Sequence, residues 1–203
     1  MYVPAHFGAG DDEVEELLGR RGAADLVTMT DGGLLATMLP FVYDAERKVL
    51  RGHLARNNEQ WQRPVIGEAL VIMRGVDSYV SPSWYAAKRE HGRVVPTWNY
   101  VTAHVYGVLT VHDDPVWVVD LVRRLTDLHE GARAEPWSVD DAPEKFVNGQ
   151  LRAIVGVEVA ITRVEAKVKL SQNRSAADVD GVIAGLRADG KEQAASAVEE
   201  HRT

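Results

Sequence analysis

The chain has 203 residues and a formal net charge of −7, with 45% hydrophobic and 26% charged residues. It contains no cysteine, which excludes disulfides, thiolate metal sites and cysteine nucleophiles. No apolar run approaches the roughly 20 residues that span a bilayer, and the N-terminus lacks the basic and apolar regions of a secretory signal. These features predict a cytoplasmic protein without membrane contact.

The first half of the sequence predicts one helix followed by a series of strands. Asp11 or Asp12 can cap a helix that continues to Arg21, and Gly22 can end it. The turn at Asp31-Gly32-Gly33 suits a hairpin between two strands. The predicted strands are Ala24–Thr30, Leu34–Tyr43, Lys48–Ala55, Glu68–Arg74, a short extended piece at Tyr79, and Trp98–Val111.

The second half predicts two helices and then a long strand. Asp114-Pro115 is typical of a helix start, and a second helix is predicted over about Pro143–Ile154. The strand that follows places apolar residues at odd positions over Val155–Ile161 and at even positions over Val164–Leu170. Because a strand changes its buried face only with an extra residue, the pattern predicts a bulge or sharp bend near Thr162–Arg163.

Strands of even spacing, with helices between them and at the ends, predict an α+β fold built on a small β-barrel with peripheral helices. Ser175-Ala-Ala-Asp178 is typical of a helix start and predicts a C-terminal helical tail over about residues 175–203. No repeat, linker or change of composition divides the chain. One domain over residues 1–203 is therefore predicted.

Polar and aromatic residues gather in three segments, 51–61 (RGHLARNNEQW), 78–107 and 169–174 (KLSQNR). Segment 78–107 alone holds two of the five Trp and four of the six Tyr, more rings than an ordinary loop needs. Each segment lies at the end of a predicted strand, where side chains can converge on a pocket at the mouth of a barrel. The sequence has no GxxxxGK[ST], GxSxG or HExxH motif, so the segments fit none of those chemistries.

Each segment also allows a purely structural interpretation. On pattern alone, His53 is a partly exposed polar residue of a strand. Trp84 and Trp98 can be core or interface anchors, because an aromatic ring buries much area whatever its function. Lys88 can belong to a solvated loop, and Asn57 can simply end a strand.

Five motifs in order resemble the PaiB-like proteins, a family of FMN-binding negative transcriptional regulators. The motifs are MYVPAHF, GHLARNNEQW, EALVIMRGVDSYVSPSWYAAK, VVPTWNYVTAHVYG and KLSQNR, and the resemblance extends from Met1 to about Leu186. It implies a split β-barrel of the flavin-oxidase type that forms a homodimer, with cofactor sites at the subunit interface. One departure is Met38 in LATMLP, where family members often carry a histidine.

Given such a cofactor, residue type predicts a set of contacts in the three segments. Ser81, Ser83 and Lys88 are expected to hold the FMN phosphate, and Trp84 and Trp98 to wall the flavin ring. Further contacts are expected from Arg56 and Asn57 on the neighbouring strand and, from the same or the partner subunit, from Lys169, Gln172, Asn173 and Arg174.

The same family includes haem-dependent piperazate synthases, which close an N–N bond on N5-hydroxyornithine. Without cysteine, the axial ligand of haem b has to be His, Met, Tyr or Lys. We favour His53 in GHLARNN, because a histidine at a strand end faces a barrel mouth more readily than His104, which lies deeper in a long strand. FMN and haem are thus alternative cofactors of this chain.

The charge of the chain disfavours direct binding to DNA. Binding to phosphates needs a basic face, yet the net charge is −7 and no run of Lys or Arg exceeds two residues. No segment resembles a helix-turn-helix. We therefore expect any repression to act through a partner or a metabolite. A cofactor-free structural protein is a third hypothesis, which leaves the polar and aromatic segments without a purpose.

Overall fold

A computed structural model describes residues 1–202 and shows seven strands in one mixed α+β fold. The strands are β1 (Ala23–Thr30), β2 (Gly33–Pro40), β3 (Val42–Asp44), β4 (Val49–Ala55), β5 (Ala69–Val80), β6 (Thr97–His112) and β7 (Ile154–Lys169). The helices are α1 (Asp11–Gly19), α2 (Ala87–Glu90), α3 (Pro115–Glu130), α4 (Glu144–Leu151), α5 (Ala176–Ala188) and α6 (Glu192–Glu200). The strand order in the sheet is β2-β1-β5-β6-β7-β4-β3, with antiparallel pairing of β1 to β2 and β5, and of β4 to β3 and β7.

The predicted hairpin between β1 and β2 is present and closes in full register from Ala23↔Pro40 to Thr30↔Gly33. The Thr30 hydroxyl accepts a hydrogen bond from the Gly32 amide (3.2 Å) and donates one to the Gly33 carbonyl (2.9 Å). Gly33 has a φ of 103°, a region that a side chain disfavours, so the turn depends on glycine at this position.

The single strand predicted over Leu34–Tyr43 is two strands in the structure. β2 ends at Pro40, and after the buried Phe41 the chain continues as β3, which pairs with β4 instead of β1. Proline lacks the N–H that a further ladder bond requires, so the change of partner falls directly after it. The apolar pattern hardly changes across Pro40, so it does not indicate the change of strand partner.

The reverse error occurs in β5, where two predicted strands are one, from Ala69 to Val80. The strand β7 is likewise unbroken from Ile154 to Lys169, although its buried positions change from Val155, Val157 and Val159 to Ala166 and Val168. The predicted change of buried face is therefore present within one continuous strand, and the bulge or bend near Thr162–Arg163 stays a prediction. The buried face changes because the two ends of β7 contribute to different cores.

The chain forms two compact units that interleave in sequence. The terminal unit comprises Met1–Val14, Arg74–Ala103 and the described part of Glu165–Thr203, and the central unit comprises Glu15–Met73 and His104–Val164. The boundaries at 73/74, 103/104 and 164/165 lie inside β5, β6 and β7, so each of these strands contributes residues to both units.

Each unit has its own apolar core. The central core is built from fully buried strand residues such as Leu26, Leu50, Val71, Val105 and Val157, which α3 covers through Val118, Leu121 and Leu125. The terminal core packs α5 and α6 on Val80, Tyr85, Val168 and Leu170. As predicted, Ser175 caps α5 by accepting a hydrogen bond from the Asp178 amide. None of the helices in residues 1–202 is both long and apolar enough to cross a bilayer.

Candidate functional site

His53 lies on β4 of the central unit, opposite Gly156 of β7, and its side chain is half-buried. It lines a cleft of about 300 Å³ together with Pro40, His129, Trp137 and the apolar face of α3. Burial lowers the pKa of the His53 imidazole below its ordinary value. The neutral ring that results is the form of histidine that can ligate a metal ion.

Arg56, just after β4, uses its guanidinium to fix the end of the strand. The two Nη atoms donate to the Asp113 carboxylate (3.0 and 2.5 Å), and Nε donates to the Arg152 carbonyl (2.7 Å). These hydrogen bonds from Arg56 are the main reason that the pKa of Asp113 is lowered. The neighbouring Asn57 is exposed. A phosphate that binds Arg56 therefore has to compete with Asp113.

Three expected phosphate ligands lie together in the loop after β5, in the terminal unit. The Ser81 hydroxyl accepts a hydrogen bond from the Ser83 amide (3.2 Å), and Lys88 Nζ donates to the Ser83 hydroxyl (2.9 Å). Lys88 and Ser83 are both exposed. The loop thus presents one cation and one hydroxyl to solvent at the same point, a donor set that suits a phosphate.

Trp84, in the same loop, packs tightly against α5. A Cβ atom at Gly181 would lie 1.9 Å from the Trp84 carbonyl oxygen, and one at Gly185 would lie 2.3 Å from the Trp84 ring. Only glycine permits so close an approach. Trp84 therefore anchors the loop on α5.

The segment KLSQNR forms a turn at the end of β7. The Gln172 side chain accepts a hydrogen bond from the Leu170 amide and donates one to the Val168 carbonyl, each at 2.7 Å, so it stabilises the turn itself. Arg174 places its guanidinium 4.7 Å from the centre of the Tyr85 ring, whereas Asn173 is exposed. Of these three side chains, Arg174 is the one that contributes charge to a partly open surface.

The remaining two predicted residues, Trp98 and Lys169, belong to one cluster on β6 and β7. Lys169 Nζ donates hydrogen bonds to the Thr97 hydroxyl (2.6 Å) and the Trp98 carbonyl (2.7 Å). The Tyr100 ring lies 5.3 Å from Lys167 Nζ and 5.9 Å from Lys169 Nζ.

The Tyr79 ring of β5 lies 6.3 Å from the Trp98 ring. We call the set Tyr79, Trp98, Tyr100, Lys167 and Lys169 the aromatic–lysine platform. Tyr79, Tyr100 and Lys167 were not predicted as site residues from the sequence. The period of two along a strand could have found Tyr100 from Trp98 and Lys167 from Lys169.

The two lysines of the platform lack acidic partners. Neither ammonium group forms an ion pair with a carboxylate of residues 1–202, although Lys167 is only 8% exposed and donates to the Tyr2 carbonyl. Burial is the main cause that lowers the pKa of Lys169; Lys167 and Arg174 act in the same direction and Tyr100 opposes them. Largely buried cations are normally paired, so the platform is suited to an anionic ligand with a planar apolar part.

The fold defines the class of the protein. A seven-stranded antiparallel sheet with peripheral helices is the architecture of the split-barrel proteins. The family described as "Putative FMN-binding domain" matches residues 1–163. Similarity also extends to "Protease synthase and sporulation protein PAI 2" of Bacillus subtilis, with 31% identity over 191 residues, 92% of this chain and 89% of that protein. The chain belongs to this PaiB-like family of FMN-binding-domain proteins.

Two solved structures show the same fold at low sequence identity. The FAD and heme binding protein from Mycobacterium smegmatis has a TM-score of 0.57 and 18% identity, covering 87% of this chain and 78% of that one. The flavocytochrome Anf3 from Azotobacter vinelandii has a TM-score of 0.56 and 14% identity, covering 79% and 67%. The α+β split-barrel fold predicted from the sequence is thereby confirmed.

Proposed function

We propose that the aromatic–lysine platform binds FMN and that the protein acts as a cofactor-dependent regulator. The observation that carries the proposal is the pair of lysines without acidic partners beside Trp98 and Tyr100. An aromatic ring can stack on a flavin, and an ammonium group can form charge-assisted hydrogen bonds with a phosphate. When bound, FMN supplies hydride and electron transfer.

In this proposal the residues of the terminal unit have distinct roles. Lys167 and Lys169 neutralise the anionic end of the cofactor, and Trp98 and Tyr100 exclude water from its ring. Lys88 and Ser83 offer a further contact to the phosphate of FMN, and Arg174 adds positive charge at the β7 turn. Trp84 and Gln172 hold the loop and the turn in place, so they position the site rather than touch the cofactor.

A second candidate function is that of a haem enzyme of the piperazate synthase type. The observation that favours it is His53, a neutral imidazole at the edge of a cleft beneath α3. Haem needs one strong axial ligand, and Val122, Leu125 and Trp137 supply apolar contacts for a porphyrin in this cleft. The two cofactors use different residues, which makes the two functions separable by mutation.

The first prediction ranks three variants, His53→Ala, Lys88→Ala and Arg56→Ala. If FMN is the cofactor, Lys88→Ala or Arg56→Ala is expected to weaken FMN binding by about 1.5–3 kcal/mol, through loss of a charge-assisted hydrogen bond, and His53→Ala to change it little. If haem is the cofactor, His53→Ala is expected to lower haem occupancy and shift the Soret band. Absorbance titration of the cofactor-free protein with each cofactor gives both readouts. Equal, negligible effects of all three variants would contradict both functions.

We also propose a homodimer, which a sheet face of the central unit supports, because its residues other than Asp25 are apolar. Cross-strand pairs share a face, so Leu34 with Met29, Ala36 with Val27, and Met38 with Asp25 lie on one side of the hairpin. Leu70 and Ile72 of β5 continue this side, since they pair with Val27 and Asp25. Leu34 is 68% and Met38 71% exposed. Exposed apolar side chains that lie next to each other on a surface are typical of protein–protein interfaces.

The second prediction is that Leu34→Glu shifts the protein towards the monomer. A carboxylate buried in an apolar interface without a partner loses its hydration, and a penalty of about 2 kcal/mol raises the dissociation constant roughly 30-fold. Val116→Glu is the matched control, because Val116 is 74% exposed but lies at the start of α3, away from this face. Light scattering at several concentrations checks the result. A wild-type monomer at micromolar concentration would refute the dimer itself.

Regulation without direct DNA contact is the last element of the proposal. The net charge of −7 opposes the approach to phosphates, and counterion release supplies most non-specific affinity for DNA. The third prediction is that the purified protein gives no specific gel shift with its own promoter at physiological salt. A shift that resists competitor DNA would show that a folded basic surface outweighs the net charge.

A further inference from the structure

We propose that Lys169 forms an imine with a small carbonyl compound that carries a carboxylate. The chemical class is that of 2-oxo acids and aldehyde acids. A neutral amine adds to the carbonyl carbon, and the carbinolamine that forms then loses water to give the imine. The step needs no oxidant, reductant or metal, and every atom of the two reactants is found in the imine and the water.

The position of Lys169 supplies the geometry for this reaction. Its Nζ is held by two neutral acceptors, the Thr97 hydroxyl and the Trp98 carbonyl, so the amine is fixed without a carboxylate that would stabilise its charged form. The side chain is half-buried, the hydrogen bond of Nζ to the Thr97 hydroxyl is partly buried, and the hydrogen bond to the Trp98 carbonyl is exposed to solvent. A small molecule can therefore reach the nitrogen from solvent.

The neighbours of Lys169 supply the electrostatics. Lys167 stands two residues away on the same strand face, and Arg174 follows at the turn. A lysine that is partly desolvated next to other cations loses its proton more easily, which is a recognised way to activate an amine as a nucleophile. The lowered pKa of Lys169, caused first by burial, agrees with this geometry. The same two cations attract the carboxylate of the reactant.

The consequence is a competition at one amine, which rests on the proposed function. FMN needs the ammonium form of Lys169, whereas the carbonyl compound consumes the neutral form and removes the site for the phosphate. An anionic carbonyl metabolite would then oppose cofactor binding. The concentration of this metabolite would then be the signal to which the proposed regulator responds, without direct contact to DNA.

Reductive trapping with glyoxylate and sodium cyanoborohydride tests the inference on the full chain at neutral pH, with the modified peptide located by mass spectrometry. We expect Lys169 to be modified first among the six lysines of the chain, at least tenfold faster than the exposed Lys145. Acetaldehyde, which lacks the carboxylate, should lose this preference. Lys169→Arg should abolish the fast modification, whereas Lys145→Arg should leave it intact.

A further variant separates chemistry from folding. Lys167→Met removes a like charge but keeps Lys169, so the fast modification should slow several-fold at neutral pH and recover as the pH rises. Equal labelling of all lysines, or an unmodified Lys169, would overturn the inference. If FMN binds but Lys169 is not trapped, only this inference fails. If Lys169 is trapped and FMN neither binds nor protects it, the proposed cofactor site fails instead.

Discussion

Replacement of Gly181 by alanine is expected to lower the free energy of unfolding by about 3 kcal/mol, a large effect for a single methyl group. The new Cβ atom would lie 1.9 Å from the Trp84 carbonyl oxygen, a backbone atom that cannot rotate away. α5 or the loop after β5 must therefore shift. For a chain of about 200 residues, the loss corresponds to a fall of roughly 6–12 °C in the melting temperature.

Gly149→Ala is the matched control for this prediction. Gly149 lies inside α4, and a Cβ atom there would meet nothing within 4 Å. Because alanine favours the helix over glycine, this variant is expected to gain up to about 1 kcal/mol. Calorimetry or thermal circular dichroism measures both variants. A Gly181→Ala protein that melts within 2 °C (about the experimental error) of the wild type would show that the packing of Trp84 on α5 is looser than described.

The second large effect concerns Lys169→Met, which keeps the aliphatic stem and removes the charge. FMN binding is expected to weaken roughly 10- to 150-fold at neutral pH, the equivalent of one charge-assisted hydrogen bond of about 1.5–3 kcal/mol. Riboflavin, which lacks the phosphate, should bind both proteins within about twofold of each other, because an uncharged ligand gains little from an ammonium group. Fluorescence titration gives both dissociation constants.

The pH dependence of the wild type provides an independent check. The lowered pKa of Lys169 means that the ammonium form, which holds the phosphate, is lost as the pH rises towards and through that pKa. FMN affinity should thus fall at alkaline pH below 10.5, the ordinary pKa of lysine, and this fall should be missing in Lys169→Met. Lys145→Met, an exposed change on α4, should behave as the wild type does. Equal weakening of FMN and riboflavin by Lys169→Met would indicate a structural role instead.

Much of the fold could be predicted because its signals are local. The cap residues Asp114 and Ser175 and the glycines of the first turn act within a few residues, and the structure confirms each of them. The errors arose where tertiary structure decides. A strand that continues through two cores, as β5 does, produces an apolar pattern that looks like two strands.

The sequence could predict which segments supply the polar and aromatic residues of the candidate site. It could not predict which of their side chains lie together. Motif residues such as Trp84 and Gln172 have side chains that pack against a helix or close a turn, and neither role can be distinguished from ligand binding by residue type. Conversely, Lys167 belongs to no polar segment. Its importance follows from the absence of an acidic partner within residues 1–202, which only the three-dimensional arrangement reveals.

The place of β2 at one end of the strand order affects how the protein behaves in concentrated solution. The strand reads GLLATMLP, with no charged residue, and an uncharged edge can template the addition of a strand from another molecule. Two features oppose this. Pro40 lacks an N–H, and the buried Gln60 amide donates a hydrogen bond to the Leu35 carbonyl. We expect the remaining backbone groups of β2 to be where aggregation begins when the protein is partly unfolded.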